Sequence, residues 1–160
     1  MKTLILIAVL SLSFFTHAQS EEVPQELKAF ASDFCSKWPE GQNEDPTQWA
    51  DCCFAHDLNY WIGGTEGDRK VADKELRDCV KLSGASIQSF LMYIGVRIGG
   101  NPGDASYAWG YGWTVTKGYE QIKPEEIQTA KTLLENSEYN QDETKKVLIK
   151  QFIDEILIIR

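Results

Sequence analysis

The sequence predicts a mostly α-helical domain, in which disulfides link a pair of antiparallel helices and further helices flank a loop rich in glycine and aromatic residues. Three observations support this prediction. Apolar residues recur at intervals of three and four along several stretches of the chain. Turn-forming runs such as "GGTEGD" and "GGNPGD" separate these stretches. Four cysteines follow an N-terminus typical of exported proteins, in which an even number of cysteines indicates disulfides.

The first 18 residues have the layout of a secretory signal peptide. Lys2 provides a positive charge, an apolar run of 12 residues follows, and Ala18 provides a small residue for cleavage. The run is too short to cross a bilayer of about 30 Å as a helix, and a buried core helix is the alternative. We therefore expect cleavage after Ala18 and a single domain, residues 19–160, in a secreted or periplasmic protein.

The charge balance narrows the range of partners. The chain carries 16 Lys and Arg against 24 Asp and Glu, a net charge of −8. Such an acidic protein is a poor partner for nucleic acid, and it lacks a basic cluster that would attract it to anionic lipid. A membrane contact would therefore be apolar or bridged by a metal ion. No second apolar stretch reaches the length of a membrane span, so we expect no transmembrane segment in the mature chain.

The N-terminal half is expected to contain three helices. The first is predicted within "VPQELKAFASDFC", where helical spacing relates Leu27, Phe30, Ala31 and Phe34. A polar, turn-rich stretch separates it from a second helix over 47–62. The third is expected to be capped by Asp68 and to end near Leu82.

The C-terminal half begins with a short apolar helix, "SIQSFLMYIGVRI", followed by the glycine- and aromatic-rich "SYAWGYGWTVTKGY". Two helices then close the chain, starting near Pro124 and near Asp142. The last one has an apolar stripe that we assign to core packing, with a partner or membrane surface as the alternative: Leu148, Ile149, Phe152, Ile153, Ile156 and Leu157. Packing is likewise expected for the tryptophans, with a lipid-facing surface as the alternative: Trp38, Trp49, Trp61, Trp109 and Trp113.

The cysteine pair Cys52–Cys53 cannot easily bridge to itself. On a helix the two side chains point about 100° apart, so each is expected to reach a different partner. The partners are Cys35 and Cys79, and helix geometry leaves open which cysteine takes which. A zinc site built from cysteines and His56 is the alternative, which export to an oxidising compartment disfavours.

The stretch "CCFAHDLNY" places His56 one helical turn after Cys52, and Tyr60 one turn further. On the third helix Asp73 lies six residues before Cys79. If Cys52 bonds Cys79, His56 and Asp73 lie about 6 Å and 9 Å beyond the bridge, close enough for a hydrogen bond. The simpler alternatives are a structural histidine and a solvated aspartate.

A His–Asp pair of this kind predicts general-base chemistry. The carboxylate fixes the tautomer of the imidazole and leaves the second ring nitrogen to accept a proton. No serine stands at an obvious nucleophile turn, so the attacking group is expected to be water. Asp57, next along the helix, is positioned to hold a hard cation together with backbone carbonyls, and such a cation would polarise an ester carbonyl.

These residues resemble the secreted, calcium-dependent phospholipase A2 family. "CCFAHDLNY" is similar to the family's Cys-Cys-x-x-His-Asp-x-x-Tyr helix, and "ADKELRDC" is similar to its second long helix. The resemblance covers about residues 35 to 80.

The resemblance implies calcium-dependent hydrolysis of the sn-2 ester of glycerophospholipids at a membrane or micelle surface. It implies His56 as the base, Asp73 as the carboxylate behind it, Tyr60 as hydrogen-bonding support and Asp57 as the Ca²⁺ ligand. It also implies two disulfides, Cys52–Cys79 and Cys35–Cys53.

The sequence departs from the family in the region that supplies further calcium ligands. The family has a glycine-rich loop there, whereas this chain has "CSKWPEGQNEDPTQWAD" with Gly41 alone. Carbonyls between Ser36 and Gly41 are the expected ligands. The rival hypothesis is a non-catalytic binding or toxin-like module that retains the scaffold.

Overall fold

The computed structural model describes residues 25–103 and 107–157, so the predicted signal peptide, residues 1–18, lies outside the described part. Within these ranges the chain is mostly helical, as predicted, and forms no strand. The helices are α1 (Ala50–Ile62), α2 (Glu66–Leu82), α3 (Ser86–Gly99), α4 (Pro124–Glu135) and α5 (Glu143–Gln151). A 3₁₀ turn, Glu138–Gln141, precedes α5, and a π-helical turn, Phe152–Ile156, follows it.

The helix predicted near residue 27 is wrong. Its backbone instead pairs with the segment before α4: Lys28 N–H donates to the Gly112 carbonyl at 2.8 Å, and Thr114 N–H donates to the Glu26 carbonyl at 2.9 Å. The apolar pattern was nevertheless informative, because Leu27 and Phe30 are buried. Long-range backbone pairing has replaced local helical hydrogen bonds, which helical spacing in a short segment does not reveal.

Both helices of the cysteine-bearing region start differently from the prediction. α1 begins at Ala50 rather than at residue 47, because the residues before it form turns. α2 is capped by Thr65, not by Asp68. The Thr65 hydroxyl accepts from Asp68 N–H at 3.2 Å, and the Asp68 carboxylate accepts from Thr65 N–H at 2.8 Å. This reciprocal capping box fixes the start of α2 seven residues before Asp73.

Two disulfides link α1 to its surroundings. Cys52 bonds Cys79 of α2 with a Cα–Cα distance of 5.7 Å, and Cys53 bonds Cys35 of the N-terminal segment at 5.1 Å. These are the pairings that the resemblance implied. Because every cysteine is in a disulfide, none is left as a thiolate for the zinc alternative.

Four of the five tryptophans are buried in packing. Each donates its indole N–H to a backbone carbonyl: Trp49 to Pro39, Trp61 to Lys28, Trp109 to Gly64 and Trp113 to Ile62, at 2.6–2.9 Å. Trp38 alone is exposed, at 37 %. The stripe after Asp142 also packs in the core, through Ile149, Phe152, Ile153 and Leu157.

The glycine- and aromatic-rich segment holds the C-terminal end of α1. Gly110 N–H donates to the Tyr60 carbonyl at 2.7 Å, and Gly112 N–H donates to the Trp61 carbonyl at 3.0 Å. A Cβ at position 112 would lie 2.4 Å from Trp61 Cδ1, so only glycine allows this approach. The segment thereby holds the end of α1 that carries Tyr60.

Candidate active site

His56 and Asp73 meet across α1 and α2. His56 lies one turn beyond the Cys52–Cys79 bridge, and its Nε2 is 3.0 Å from Oδ1 of Asp73. Both residues are buried, Asp73 completely and His56 to all but 8 %. An ionised carboxylate only accepts hydrogen bonds, so this contact assigns the proton to Nε2. Nδ1 is then the ring atom with a free lone pair.

Asp73 accepts hydrogen bonds from three side chains. The Tyr60 hydroxyl donates to Oδ1 at 2.7 Å, beside His56, and Arg97 Nη1 donates to Oδ2 at 2.7 Å. Burial by itself would raise the pKa of Asp73, but the hydrogen bonds from His56, Arg97 and Tyr60 outweigh it and hold that pKa below its ordinary value. Asp73 is therefore a carboxylate at neutral pH, although it is fully buried.

Arg97 is a member of this cluster that the sequence analysis missed. It is the one basic residue of α3, and its guanidinium is 24 % exposed. No sequence motif predicts this role, because the contact between Arg97 and Asp73 depends on how α3 packs against α2. The available signal was that Arg97 is the single charged residue of an apolar helix. An arginine in such surroundings is rarely buried unless it is paired with an acid.

Tyr60 is held by close contacts on both sides. Its ring lies against the His56 ring, with centroids 4.1 Å apart, and Trp109 meets it edge-on at 5.0 Å. A Cβ at Gly100 would lie 2.3 Å from the Tyr60 hydroxyl oxygen, so this position requires glycine. Burial first, and then the charge of Asp73, raise the pKa of Tyr60. Tyr60 therefore stays protonated and acts as a hydrogen-bond donor.

Asp57 follows His56 but faces different surroundings. It is 4 % exposed, and its Oδ2 accepts a hydrogen bond from the Ser32 hydroxyl at 2.6 Å. Among the described residues no Lys, Arg or His pairs with it. Burial raises the pKa of Asp57 to about 8; the Ser32 hydroxyl lowers it and the neighbouring Asp33 raises it. Asp57 is thus a buried acid that lacks a positive counterpart in the described part of the protein.

A cavity of about 350 Å³ lies beside three of the residues described above. His56, Asp57 and Tyr60 all line it. One wall is the segment after Ala31, and another is an edge of α3; the further lining residues include Phe34, Ser36, Lys37, Trp38, Met92, Gly95, Val96 and Gly99. The polar groups therefore lie together in a cavity whose other walls are largely apolar, which is the usual composition of a small-molecule site.

The expected calcium ligands lie partly in this cavity. Asp57 lines it, and so does Ser36, the first residue of the range in which carbonyl ligands were expected. Phe34 and Ser36 have positive φ angles, 59° and 53°, which turn the backbone sharply beside Asp57. Within the described ranges no three His, Cys, Asp or Glu side chains cluster as a metal site would require. A cation here would have one carboxylate ligand, with backbone carbonyls as the others.

Comparisons with protein-family models, with curated proteins and with solved structures found no match to this chain.

Proposed function

We propose that this protein hydrolyses the sn-2 ester of glycerophospholipids with water, in a calcium-dependent reaction of the phospholipase A2 type. The observation that carries the proposal is that the carboxylate of Asp73 binds both His56 and Tyr60, and that these two residues line one cavity together with Asp57. The sequence motif predicted this arrangement, and the distances between the three side chains agree with it. The two disulfides are compatible with the proposed export.

His56 is the proposed general base. Its Nε2–H is committed to Asp73, so Nδ1 is the atom that takes a proton from the attacking water. The same nitrogen then returns the proton to the leaving alcohol of the glycerol backbone. Ester cleavage is balanced in this way: water supplies the hydroxyl of the fatty acid and the hydrogen of the alcohol.

Asp73 and Tyr60 orient the base rather than touch the substrate. The negative charge of Asp73 stabilises the imidazolium that forms when His56 takes its proton. Tyr60 and Arg97 occupy two further acceptor positions of the carboxylate, which restricts its rotation. We therefore assign Tyr60 and Arg97 as positioning residues.

A calcium ion fits the chemistry of the residues around Asp57. A buried carboxylate without a positive counterpart is the group that a cation would stabilise, and oxygen is the ligand that Ca²⁺ prefers. Asp57 would hold the ion together with carbonyls of residues 36–38, the part of the expected range 36–41 that lines the cavity. When bound, the ion would polarise the ester carbonyl and stabilise the charge that develops on its oxygen.

The cavity walls favour a lipid substrate. Phe34, Trp38, Met92 and Val96 offer apolar surface within the same cavity as His56. An acyl chain against these residues would place its ester near His56.

The antiparallel pairing of α1 and α2, expected from the sequence, accords with a covalent link at Cys79 and a hydrogen bond at Asp73.

One observation favours the rival, a non-catalytic lipid-binding module. The raised pKa of Asp57, about 8, makes its protonated form substantial at neutral pH, and a protonated carboxyl is a poor calcium ligand. In the rival, Asp57 stays neutral and the cavity binds a lipid chain without hydrolysis. The heat of calcium binding, measured by titration calorimetry, distinguishes the enzyme from the binding module, since only the enzyme hypothesis requires the ion.

Fatty-acid release from mixed phospholipid vesicles tests the proposal. We expect release with millimolar calcium, its loss on adding a chelator, and its return when calcium is restored. Labelling the sn-1 and sn-2 chains differently tests the position of cleavage. Release that ignores the chelator would contradict the calcium role, and no release from any phospholipid would favour the binding module.

A further inference from the structure

The outer face of α3 carries five exposed apolar side chains, which we call the α3 stripe: Ile87, Phe90, Leu91, Ile94 and Ile98. Their exposed fractions are 74 %, 59 %, 46 %, 38 % and 74 %. At about 100° per residue they fall within an arc of about 100°, so they form one continuous band along the helix. Scattered apolar side chains are normal on a protein surface, but a contiguous band of five indicates an interaction site.

The opposite face of α3 is also apolar and is already used. Ser89 and Met92 are buried there, and Met92 packs in the cluster that includes Leu76 of α2. A helix that is apolar on both faces is expected to be covered on both. In the described part of the chain nothing covers the α3 stripe.

The α3 stripe lies beside the cavity of the candidate active site. Gly95, Val96 and Gly99 of the same helix line that cavity together with His56. Trp38, the one exposed tryptophan, also lines the cavity. A body seated on the α3 stripe would therefore lie next to the place where the proposed ester cleavage occurs.

The charges of α3 point to an uncharged apolar partner. The helix has no acidic residue, although the chain as a whole carries 24, and its single base, Arg97, is engaged by Asp73. The α3 stripe itself carries no charge, and two bases beside it, Arg97 and Arg77, are paired with Asp73 and Asp78, so its partner must bind without charge complementarity. Zwitterionic lipid satisfies this condition, since its contact with the protein would depend on apolar insertion.

The area of the α3 stripe argues against a second copy of the chain. From their exposed fractions the five side chains offer roughly 70–140 Å² each and about 550 Å² together, below the ~800 Å² per partner that a stable protein pair buries. Insertion into a lipid surface has no such requirement for a complementary partner shape.

We propose that the α3 stripe seats the protein on a zwitterionic phospholipid surface, with the cavity beside it positioned to receive a lipid from that surface. The part concerning the lipid that enters the cavity rests on the proposed function. The docking itself does not, because a non-catalytic module would use the same face.

Binding to phosphatidylcholine vesicles tests the docking. The protein, expressed from its full sequence, carries His56→Gln so that vesicles remain intact while binding is measured by co-sedimentation. In this background we expect the vesicle partition constant to fall on the order of 100-fold or more in the triple variant Phe90→Ser/Ile94→Ser/Ile98→Ser. Burial of one large aliphatic or aromatic side chain changes a binding constant by about tenfold, and the variant loses three such side chains.

The matched control replaces exposed apolar residues away from α3. Val71 of α2 and Val147 of α5 are 52 % and 61 % exposed, and Val71→Ser/Val147→Ser should bind vesicles as the parent does. Equal urea midpoints for the triple and control variants exclude unfolding as the cause. Equal vesicle binding by the triple variant and the parent would overturn the proposal.

A soluble short-chain phospholipid, used below its micelle concentration, separates docking from catalysis. With His56 restored, the triple variant should hydrolyse this monomeric lipid as wild type does and lose hydrolysis of vesicles. If wild type hydrolyses neither lipid but the α3 stripe still governs vesicle binding, the proposed function fails and the docking stands. If the triple variant instead converts a dimer to a monomer and binds vesicles normally, the partner is a second copy and the docking proposal fails.

Discussion

At the scale of single residues, Asp73 and Asp57 are both buried acids but differ in the donors that reach their carboxylates. Asp73 is fully buried and accepts from three donors, one of them a cation. Asp57 is almost as buried, but its carboxylate accepts from the Ser32 hydroxyl and the Phe34 backbone, and no described cation pairs with it. The opposite pKa shifts of these two acids follow from this difference in partners.

Arg97→Met tests the ion pair to Asp73. Breaking it should destabilise the protein by about 1–3 kcal/mol, discounted from the usual cost because Arg97 is partly exposed. Asp73 has a lowered pKa in the folded chain, so it contributes stability above about pH 4 that is lost as the pH falls through the folded value. Without Arg97 the folded pKa rises, and the midpoint of acid unfolding should move to higher pH.

The control for that experiment is Lys131→Met, which removes an exposed pair with Glu135. Such pairs contribute little, so its urea and acid midpoints should match wild type. If the two variants unfold alike, Arg97 does not hold the buried carboxylate.

Asp57→Asn tests the buried acid. The pKa of Asp57 is about 8 when folded and about 4 when unfolded, so in a chelator the folded protein should lose stability as the pH rises from about 4 to 8. The loss should be on the order of 5 kcal/mol, because the unfolded chain ionises freely while the folded chain must retain the proton. Urea unfolding at pH 5, 6.5 and 8 measures it.

The asparagine variant should remove that pH dependence and should not bind calcium. In wild type, calcium should offset the loss at pH 8, because the ion competes with the proton for the carboxylate. An unchanged pH slope in Asp57→Asn would mean that another group causes it.

At the scale of elements, the two disulfide bridges have different tasks. Cys52–Cys79 spans 27 residues and joins the helices that carry His56 and Asp73, whereas Cys35–Cys53 spans 18 and anchors the cavity wall to α1. Chain entropy assigns each about 3–4 kcal/mol.

Replacing Cys52 and Cys79 by alanine should therefore cost about that much stability and should also impair hydrolysis in the molecules that remain folded. The impairment is expected because the bridge sets the register of His56 against Asp73. The experiment compares the rate of fatty-acid release with the folded fraction at increasing urea concentrations. If each folded molecule of the variant releases fatty acid at the wild-type rate, the bridge contributes to stability only and does not position His56.

The relative positions of two elements could be predicted from the sequence only where a disulfide or a helical repeat determined them. The Cys79 offset placed Asp73 level with His56, and the structure brings the two side chains together at 3.0 Å. The segment around Leu27 was predicted as a helix and is not one, since its backbone pairs with residues about 85 positions away. Arg97 escaped prediction for the same reason: its partner is set by how α3 packs on α2.

At the scale of the whole molecule, an aromatic core positions the site. Phe30 meets both Phe54 and Trp61 edge-on, with centroids 5.3 and 5.7 Å apart. This core fastens the N-terminal segment, which carries Ser32 beside Asp57, to α1. The burial of these apolar residues was predictable from their spacing, but the hydrogen bonds of the tryptophans to distant carbonyls were not.

The helix α1 is buried along almost its whole length, with α2 and α5 packed against it. No helix in the described ranges is long and apolar enough to cross a membrane. For the proposed hydrolysis the decisive group is the proposed base, His56.

Replacing that base tests the account most directly. His56→Gln keeps a side chain that can donate to Asp73 but cannot accept a proton, and calcium affinity should survive because the imidazole is not a proposed ligand. Fatty-acid release from phosphatidylcholine vesicles, measured with saturating calcium on wild type and on a variant with an equal urea midpoint, should fall by about 10²–10⁴-fold. Release at the wild-type rate by folded His56→Gln would contradict the assignment of His56 as the general base.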